Sequence, residues 1–179
     1  MKYLILTDIH GDSGYLKEVL NKVDGFDKLI ILGDILYHGP RNSLPNKYNP
    51  REVIDILNDI KDKIIAVRGN CDADVDLMVL NFEIEQEKYI DIDGIKLFLS
   101  HGHNYNKNNL IDTSEKCYMI YGHYHINEVV KLDNITCINL GSLSIPKDNF
   151  HTYALIENGA YKAYNLFDDE VILEVNLNE

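Results

Sequence analysis

Short apolar runs alternate with amphipathic helical segments along the first part of the chain. The apolar runs, which predict buried strands, cover residues 3–7, 28–32 and 64–67. Residues 13–24 carry apolar side chains at helical spacing, and Asn49-Pro50 opens a second segment with the N-terminal signature of a helix. This β-α-β-α-β order predicts a parallel sheet that is covered by helices.

The second half of the chain reads mainly as short strands. Residues 84–91 and 95–100 are strand-like and meet at Asp93-Gly94, which is a strong hairpin signal. Further short strands are predicted at residues 118–121, 128–132, 135–139, 152–157, 160–166 and 170–177. This half should be mostly antiparallel. Two packed sheets with helices outside satisfy both halves, so we expect an α/β fold in one domain, residues 1–179.

Polar or metal-competent residues follow the predicted strands where each strand ends. They are Asp8 and His10, Asp34, Asn70, His101 and His103, and His123 and His125. In parallel α/β sheets, ligands bind beyond the carboxyl ends of the strands. Glycines at positions 33, 69, 102 and 122 let the backbone turn sharply there. Each residue alone would also suit a solvated strand end, a turn or a helix cap, but together they predict a metal site.

The chain is acidic, with 17 Lys and Arg against 29 Asp and Glu and a formal net charge of −12. With no basic stretch, it is unsuited to nucleic-acid packaging or to an anionic membrane surface. Acidity is compatible with carboxylates that bind metal cations. No apolar run approaches the roughly 18–20 residues of a membrane span, and no signal peptide is evident. Three separated cysteines without a C-x-x-C motif favour a reducing, cytoplasmic location.

The strand-end motifs resemble, in order, those of the calcineurin-like metallophosphoesterases, from about residue 3 to residue 146. Three longer blocks, residues 36–42, 66–72 and 139–146, resemble the bacterial YfcE-type phosphodiesterases. The resemblance implies a two-sheet α/β sandwich, hydrolysis of small phosphodiesters and two divalent metal ions. It favours Mn, with Fe, Ni and Zn as alternatives, and it makes a homodimer plausible.

The same resemblance implies which residues hold each metal. One ion would be bound by Asp8, His10, Asp34 and His125, and the other by Asp34, Asn70, His101 and His123. The Asp34 carboxylate would bridge the two ions. Two such ions can lower the pKa of a shared water and clamp a phosphate, so that the resulting hydroxide attacks phosphorus in line.

Cys71 departs from the wider superfamily, where a histidine at this position is taken as proton donor to the leaving group. The YfcE-type enzymes also carry cysteine there, and Asp72 follows it. A thiol is a weak donor, so we expect turnover to favour leaving groups that need little protonation. Alternatively, Cys71 only fills space near the site.

Other residues are candidates for substrate contact. His38, Arg41 and Asn42 lie in a polar loop after Asp34, where they could contact phosphate or form a surface turn. His103 could lie beside the metals or be a plain loop residue.

An acidic segment also matches part of a calcium loop. Asp72, Asp74, Asp76 and Glu83 occupy positions 1, 3, 5 and 12 of an EF-hand, but Leu77 stands where glycine is required. We therefore expect a solvated acidic loop.

Two other functions are compatible with the motifs. One is a phosphomonoesterase or phosphoprotein phosphatase. The other is a non-catalytic protein-interaction scaffold like the retromer subunit Vps29, which has this fold with a degraded site. The seven intact ligand positions argue against the scaffold.

Overall fold

The computed structural model describes all 179 residues and contains 12 strands and two α-helices. The strands are β1 (Tyr3–Leu6), β2 (Lys28–Ile31), β3 (Ile64–Val67), β4 (Ile84–Glu85), β5 (Lys88–Ile92), β6 (Ile95–Leu99), β7 (Cys117–Tyr121), β8 (Glu128–Leu132), β9 (Ile135–Asn139), β10 (Thr152–Glu157), β11 (Ala160–Asn165) and β12 (Val171–Asn176). The helices are α1 (Ser13–Lys22) and α2 (Pro50–Asp59), with short 3-10 turns at Lys61–Lys63 and Asp76–Met78. Neither helix is long and apolar enough to cross a membrane.

Both helices begin where the sequence predicts. The Asp12 carboxylate accepts a hydrogen bond from the Tyr15 amide at 2.9 Å and caps α1. Asn49 caps α2 by accepting from the Glu52 amide at 3.2 Å, and Pro50 occupies the first helical turn. These caps fix the two chain reversals that return the backbone to the sheet.

The strands form a seven-stranded and a five-stranded sheet, which confirms the predicted α/β architecture. The first sheet has the order β12-β11-β10-β1-β2-β3-β4, in which β1 to β4 are parallel and β10 to β12 are antiparallel. The second has the order β5-β6-β7-β9-β8. Its three central strands are parallel and its two edge strands antiparallel, so a second parallel set exists within the half expected to be mostly antiparallel.

The predicted strand at residues 84–91 is wrong as a single element. The backbone bends at Gln86 and Glu87. The segment before the bend, β4, pairs with β3 in the first sheet, whereas β5 pairs with β6 in the second. The chain therefore changes sheets here. The hairpin at Asp93-Gly94 is confirmed, with φ values of 54° and 87° at its two central residues.

Alternating apolar positions of the central strands build two core layers. Ile5 and Ile30 face the second sheet and pack in one cluster with Leu99 and Ile120. The opposite face of the first sheet packs against apolar side chains of both helices. No helix covers the outer face of the second sheet, where a smaller cluster includes Ile111 from the loop between β6 and β7. The carboxyl ends of both parallel sets lie at one end of the sandwich, where the predicted ligands occur.

Candidate metal centre

Seven polar side chains from five strand ends converge at one end of the two sheets. They are Asp8 and His10 after β1, Asp34 after β2, Asn70 after β3, His101 after β6, and His123 and His125 after β7. Five of them (Asp8, His10, Asp34, His101 and His125) are at most 5% exposed. The structure therefore brings together all seven residues that the sequence suggests as ligands.

Three of these side chains form one compact group. The Nε2 atom of His125 lies 3.1 Å from Asp8 Oδ1 and 3.4 Å from the Nε2 atom of His10. Asp8 Oδ1 also lies 3.5 Å from His10 Nε2. One carboxylate and two imidazoles thus face a common point.

The remaining side chains form a second group next to the first. His101 Nε2 lies 3.1 Å from Asn70 Oδ1 and 3.3 Å from His123 Nδ1. Asp34 Oδ2 lies 3.4 Å from His101 Nε2 and 3.7 Å from His10 Nε2. A single oxygen of Asp34 therefore stands between the two groups, as a bridging ligand would.

Backbone carbonyls orient three of the imidazoles. Each Nδ1 lies 2.7 Å from a carbonyl oxygen, in the pairs His10 with Tyr37, His101 with Leu32, and His125 with Ile145. Because Nδ1–H donates to these oxygens, the Nε2 lone pair of the neutral ring points into the site. Asp8 Oδ1, which is buried there, accepts no hydrogen bond. Several lone pairs thus face each other, and this donor set fits a divalent cation.

The charges in the site have large effects on one another. Burial raises the pKa of Asp8, but the neighbouring imidazoles of His10, His101 and His125 outweigh burial and hold it well below its usual range. Burial lowers the pKa of His101, but the Asp34 and Asp8 carboxylates outweigh this effect and raise it to about 9. Burial and the His101 charge lower the pKa of His123 to about 4. The carboxylates therefore stabilise positive charge at the centre, where a metal would compete with protons for the imidazoles.

Strained backbone accompanies the candidate ligands. Five of the seven have a positive φ: Asp8 (53°), His10 (47°), Asp34 (55°), His123 (69°) and His125 (60°). Non-glycine residues seldom adopt this conformation, and clusters of such residues mark functional sites. At the ends of β1, β2 and β7, this backbone conformation accompanies side chains that face the same centre.

Asp72 has a positioning role that the sequence reasoning missed. Its Oδ2 accepts hydrogen bonds from the amides of Asp34 (2.9 Å) and Gly69 (2.7 Å), and its Oδ1 accepts one from Ile35 (2.8 Å). The side chain is buried, so the expected solvated loop is wrong at this residue. Asp74 instead pairs with Arg68 at 2.7 Å, and the acidic residues do not share a calcium loop. The Asp72 and Asp74 side chains point in different directions because of tertiary contacts, which the spacing of the acidic residues in the sequence does not reveal.

Replacing Asp72 with Asn should weaken the metal centre. The amide group offers one acceptor oxygen where the carboxylate offers two, and its NH2 would face a backbone donor. We expect a destabilisation of about 1–3 kcal/mol and a fall of about 10–100-fold in metal affinity. Thermal unfolding of the metal-free protein and calorimetric titration with Mn²⁺ measure these two effects. Unchanged metal affinity would show that the loops keep their positions without Asp72.

Asp8 is held in place by two serines whose role was also not foreseen. The hydroxyls of Ser142 and Ser144 donate to the Asp8 carbonyl oxygen at 2.8 and 3.0 Å. Both lie in the 139–146 block that follows β9. Their fully or almost fully buried hydroxyls satisfy the carbonyl at a residue whose backbone is strained.

A cavity of about 580 Å³ opens in front of the candidate metal ligands. Arg41 and Asn42 line it, as expected of substrate-contacting residues, and so do Lys147, Tyr37 and Tyr124. Lys147 and the two tyrosines were not predicted from the sequence because they belong to no recognisable motif. Cationic side chains and proposed metal ligands therefore line the same cavity.

Two candidate contact residues lie outside this cavity. The His38 ring packs against Tyr37 and Tyr48, with ring centroids 4.8 and 5.4 Å away, and does not line the cavity. The exposed His103 ring lies 5.5 Å from that of His101, and it is also absent from the lining. The geometry therefore favours Arg41 and Asn42 over these two histidines.

Cys71 lies at the edge of the centre and within the cavity wall. Its amide donates to Asp34 Oδ1 at 2.8 Å, and its sulfur accepts from the Asn70 side chain at 3.3 Å. Burial and the Asp34 charge raise the pKa of the thiol to about 12. In this environment the thiol stays protonated at neutral pH.

Comparison with known proteins agrees with this arrangement. Residues 1–159 match the calcineurin-like phosphoesterase superfamily domain. The chain is 38% identical over 182 residues to the Escherichia coli protein named phosphodiesterase YfcE, covering 99% of each chain. A solved structure of the E. coli phosphoesterase YfcE matches with a TM-score of 0.95 over 99% of this chain and 100% of that one.

A more distant structure shares only the fold. Vps29 from Entamoeba histolytica is 19% identical, with a TM-score of 0.64 over 99% of this chain and all of that one. Fold likeness at this level does not separate catalytic from scaffolding members. The family match, however, spans most of the chain, and the strand ends within the matched region carry the motifs described above. This protein therefore belongs to the calcineurin-like phosphoesterase superfamily.

Proposed function

We propose that this protein is a metal-dependent phosphodiesterase with a two-cation centre. The observation that carries the proposal is the position of Asp34 Oδ2 between two groups of inward-facing ligands, 3.7 Å from His10 Nε2 and 3.4 Å from His101 Nε2. The extensive identity with the E. coli phosphodiesterase YfcE supports the same activity.

The proposed ligand sets follow the two groups. Asp8, His10, Asp34 and His125 would hold one cation, and Asp34, Asn70, His101 and His123 the other. When bound, the two cations would supply Lewis acidity for activating water and for neutralising phosphoryl charge. Ligands of this mixed nitrogen and oxygen type suit Mn, Fe or Zn, and we expect Mn to support the highest activity.

Protein side chains around the cavity complete the proposed site. Arg41 and Lys147 place positive charge on its wall, although the chain carries a net charge of −12. The Asp8 and Asp34 carboxylates would repel a phosphate unless cations were bound between them. The metal-free protein should therefore bind phosphate esters poorly, and small esters should fit better than polyanionic nucleic acids.

Hydrolysis of bis(p-nitrophenyl) phosphate tests this proposal. We expect activity with Mn²⁺ that chelator removes and fresh Mn²⁺ restores, and a higher kcat/KM than for p-nitrophenyl phosphate, a monoester. A preference for the monoester would favour the phosphomonoesterase alternative. If pure protein hydrolyses neither ester with Mn, Fe, Ni or Zn, the scaffold interpretation would replace the enzymatic one.

The Cys71 thiol predicts a strong dependence on the leaving group. A thiol is a weaker proton donor than the imidazole that stands at this position in the wider superfamily, so alcohols that are poor leaving groups should depart slowly. We expect Cys71→His to increase kcat on diesters with alkyl leaving groups by about tenfold or more and to change aryl esters little. Rates across a series of leaving groups measure this effect. Equal responses for alkyl and aryl esters would contradict the prediction.

A further inference from the structure

A second cavity of about 500 Å³ lies beside the metal-facing one. Tyr37, Cys71 and Ala73 line both cavities, so the two spaces meet at a shared wall. Their chemistry differs. Only four of the 14 residues around the metal-facing cavity are hydrophobic, compared with eight of 11 around its neighbour. A ligand crossing the shared wall would pass from a polar to an apolar environment.

Three separate segments build the apolar cavity. Tyr48 precedes α2, Ile54 lies within it, and Val79 follows the 3-10 turn Asp76–Met78. The Asn58 side chain fixes the last segment to α2, because its Nδ2 donates to the Val79 carbonyl at 2.9 Å and its Oδ1 accepts from the Asn81 amide at 2.7 Å. The wall is thus held in position without a ligand.

This cavity leaves apolar side chains in contact with solvent. Tyr37 is 41% exposed, Val79 is 40% exposed and Val75 is 61% exposed. Contiguous exposed apolar side chains rimmed by polar residues commonly mark a binding groove. Here the groove continues directly from the cavity in which the phosphate would bind.

We infer that the apolar cavity binds one ester group of the substrate, so that in the preferred phosphodiesters at least one of the two esterified alcohols is apolar, such as an unsubstituted alkyl or aryl alcohol. This inference rests on the proposed function, because a phosphate held at the metal ligands would direct an ester group across Tyr37 and Cys71. An apolar group buried there would leave water, and each buried methylene adds up to about fourfold in affinity. A sugar or another strongly polar alcohol would gain nothing from these contacts.

Alkylphosphonates test the inference because they are not hydrolysed and carry a single apolar group. Their binding to the Mn-loaded protein is measured by calorimetry, from methylphosphonate to hexylphosphonate. We expect affinity to increase by about 30-fold or more over this series, which is well below the limit set by full burial of five methylenes. Weak binding of all members, including methylphosphonate, would overturn the proposed phosphate site. Binding of methylphosphonate without any increase along the series would overturn only the apolar subsite.

Two neighbouring substitutions locate the effect. Val79→Asp places a charge in the cavity, whereas Met78→Asp places the same charge on a residue that is 81% exposed and does not line it. We expect the increase with chain length to disappear in Val79→Asp and to persist in Met78→Asp, with circular dichroism confirming that both fold. Equal slopes in the two variants would overturn the assignment. A change of oligomeric state in Val79→Asp with an unchanged slope would instead identify the cavity as a contact with a second copy.

Discussion

Asp34→Asn should abolish most of the phosphodiesterase activity while leaving the fold intact. The substitution preserves the shape of the side chain but removes the charge of the oxygen between the two ligand groups, 3.4 Å from His101 Nε2 and 3.7 Å from His10 Nε2. A neutral amide is a weak ligand for two cations at once. We expect kcat/KM for bis(p-nitrophenyl) phosphate to fall by at least about a thousandfold, which corresponds to about 4 kcal/mol of transition-state stabilisation.

Bound metal and stability separate this effect from unfolding. Elemental analysis after dialysis should show two Mn per chain in the wild type and at most one in Asp34→Asn. Burial raises the pKa of Asp34, but hydrogen bonding to His101 and its charge outweigh burial and lower it, so the charged carboxylate stabilises the metal-free fold at neutral pH. The metal-free variant should therefore melt at a lower temperature than the wild type, and circular dichroism should show that it is still folded under the assay conditions.

Asp74→Asn is the matched control. It removes the same charge from a carboxylate that is 92% exposed and pairs only with Arg68 at the surface. Its activity should remain within about twofold of the wild type, since exposed ion pairs contribute little. If Asp34→Asn kept two metals and more than a tenth of the activity, the bridging role of Asp34 would be wrong.

Local patterns predict much of the fold because its strands have clear apolar runs and its helices have clear caps. The failure at residues 84–91 has a physical reason. Both β4 and β5 satisfy a strand pattern, but their partners, β3 and β6, belong to different sheets. The choice of partner depends on contacts distant in sequence, which a local pattern does not contain. The parallel pairing of β6 with β7 and of β7 with β9 was missed for the same reason.

The candidate site, like the fold, was predictable from local sequence patterns only in part. The order of motifs at strand ends was sufficient to predict that seven candidate ligands lie together, since parallel strands bring their carboxyl ends to one edge. Their orientation depends on backbone that is left-handed at Asp8 and Asp34, a conformation that neither residue type dictates. The inward direction of Asp72 depends on amides from two separate loops. The apolar cavity was invisible because segments around residues 37, 54 and 79 form it only after folding.

Gly122→Ala should disrupt the metal centre through packing alone. A Cβ at this position would overlap Thr7 Oγ1 and lie 2.6 Å from Asp8 Oδ2, both of which are buried. Asp8 Oδ2 also accepts from the His123 amide at 3.0 Å, so displacement of the carboxylate would disturb two candidate ligands together. Overpacking of this kind costs about 1–3 kcal/mol. Since displacements of about 1 Å can reduce rates about 100-fold, we expect kcat/KM to fall by at least that factor.

Gly14→Ala provides the control because its added methyl group would overlap only the Cδ atom of the flexible Lys47 side chain, with Lys47 Cβ and Cγ 3.0 Å away. Lys47 is exposed and can move, and alanine favours the helix by about 0.5–1 kcal/mol over glycine, so this variant should melt at or above the wild-type temperature with full activity. Gly122→Ala should melt about 2–12 °C lower, given about 2–4 °C per kcal/mol for a domain of this size. Melting curves of the metal-free proteins and Mn²⁺ titrations make the comparison. If Gly122→Ala bound Mn²⁺ and hydrolysed substrate as well as Gly14→Ala does, the metal centre would not depend on the close approach of the β7 end to Asp8.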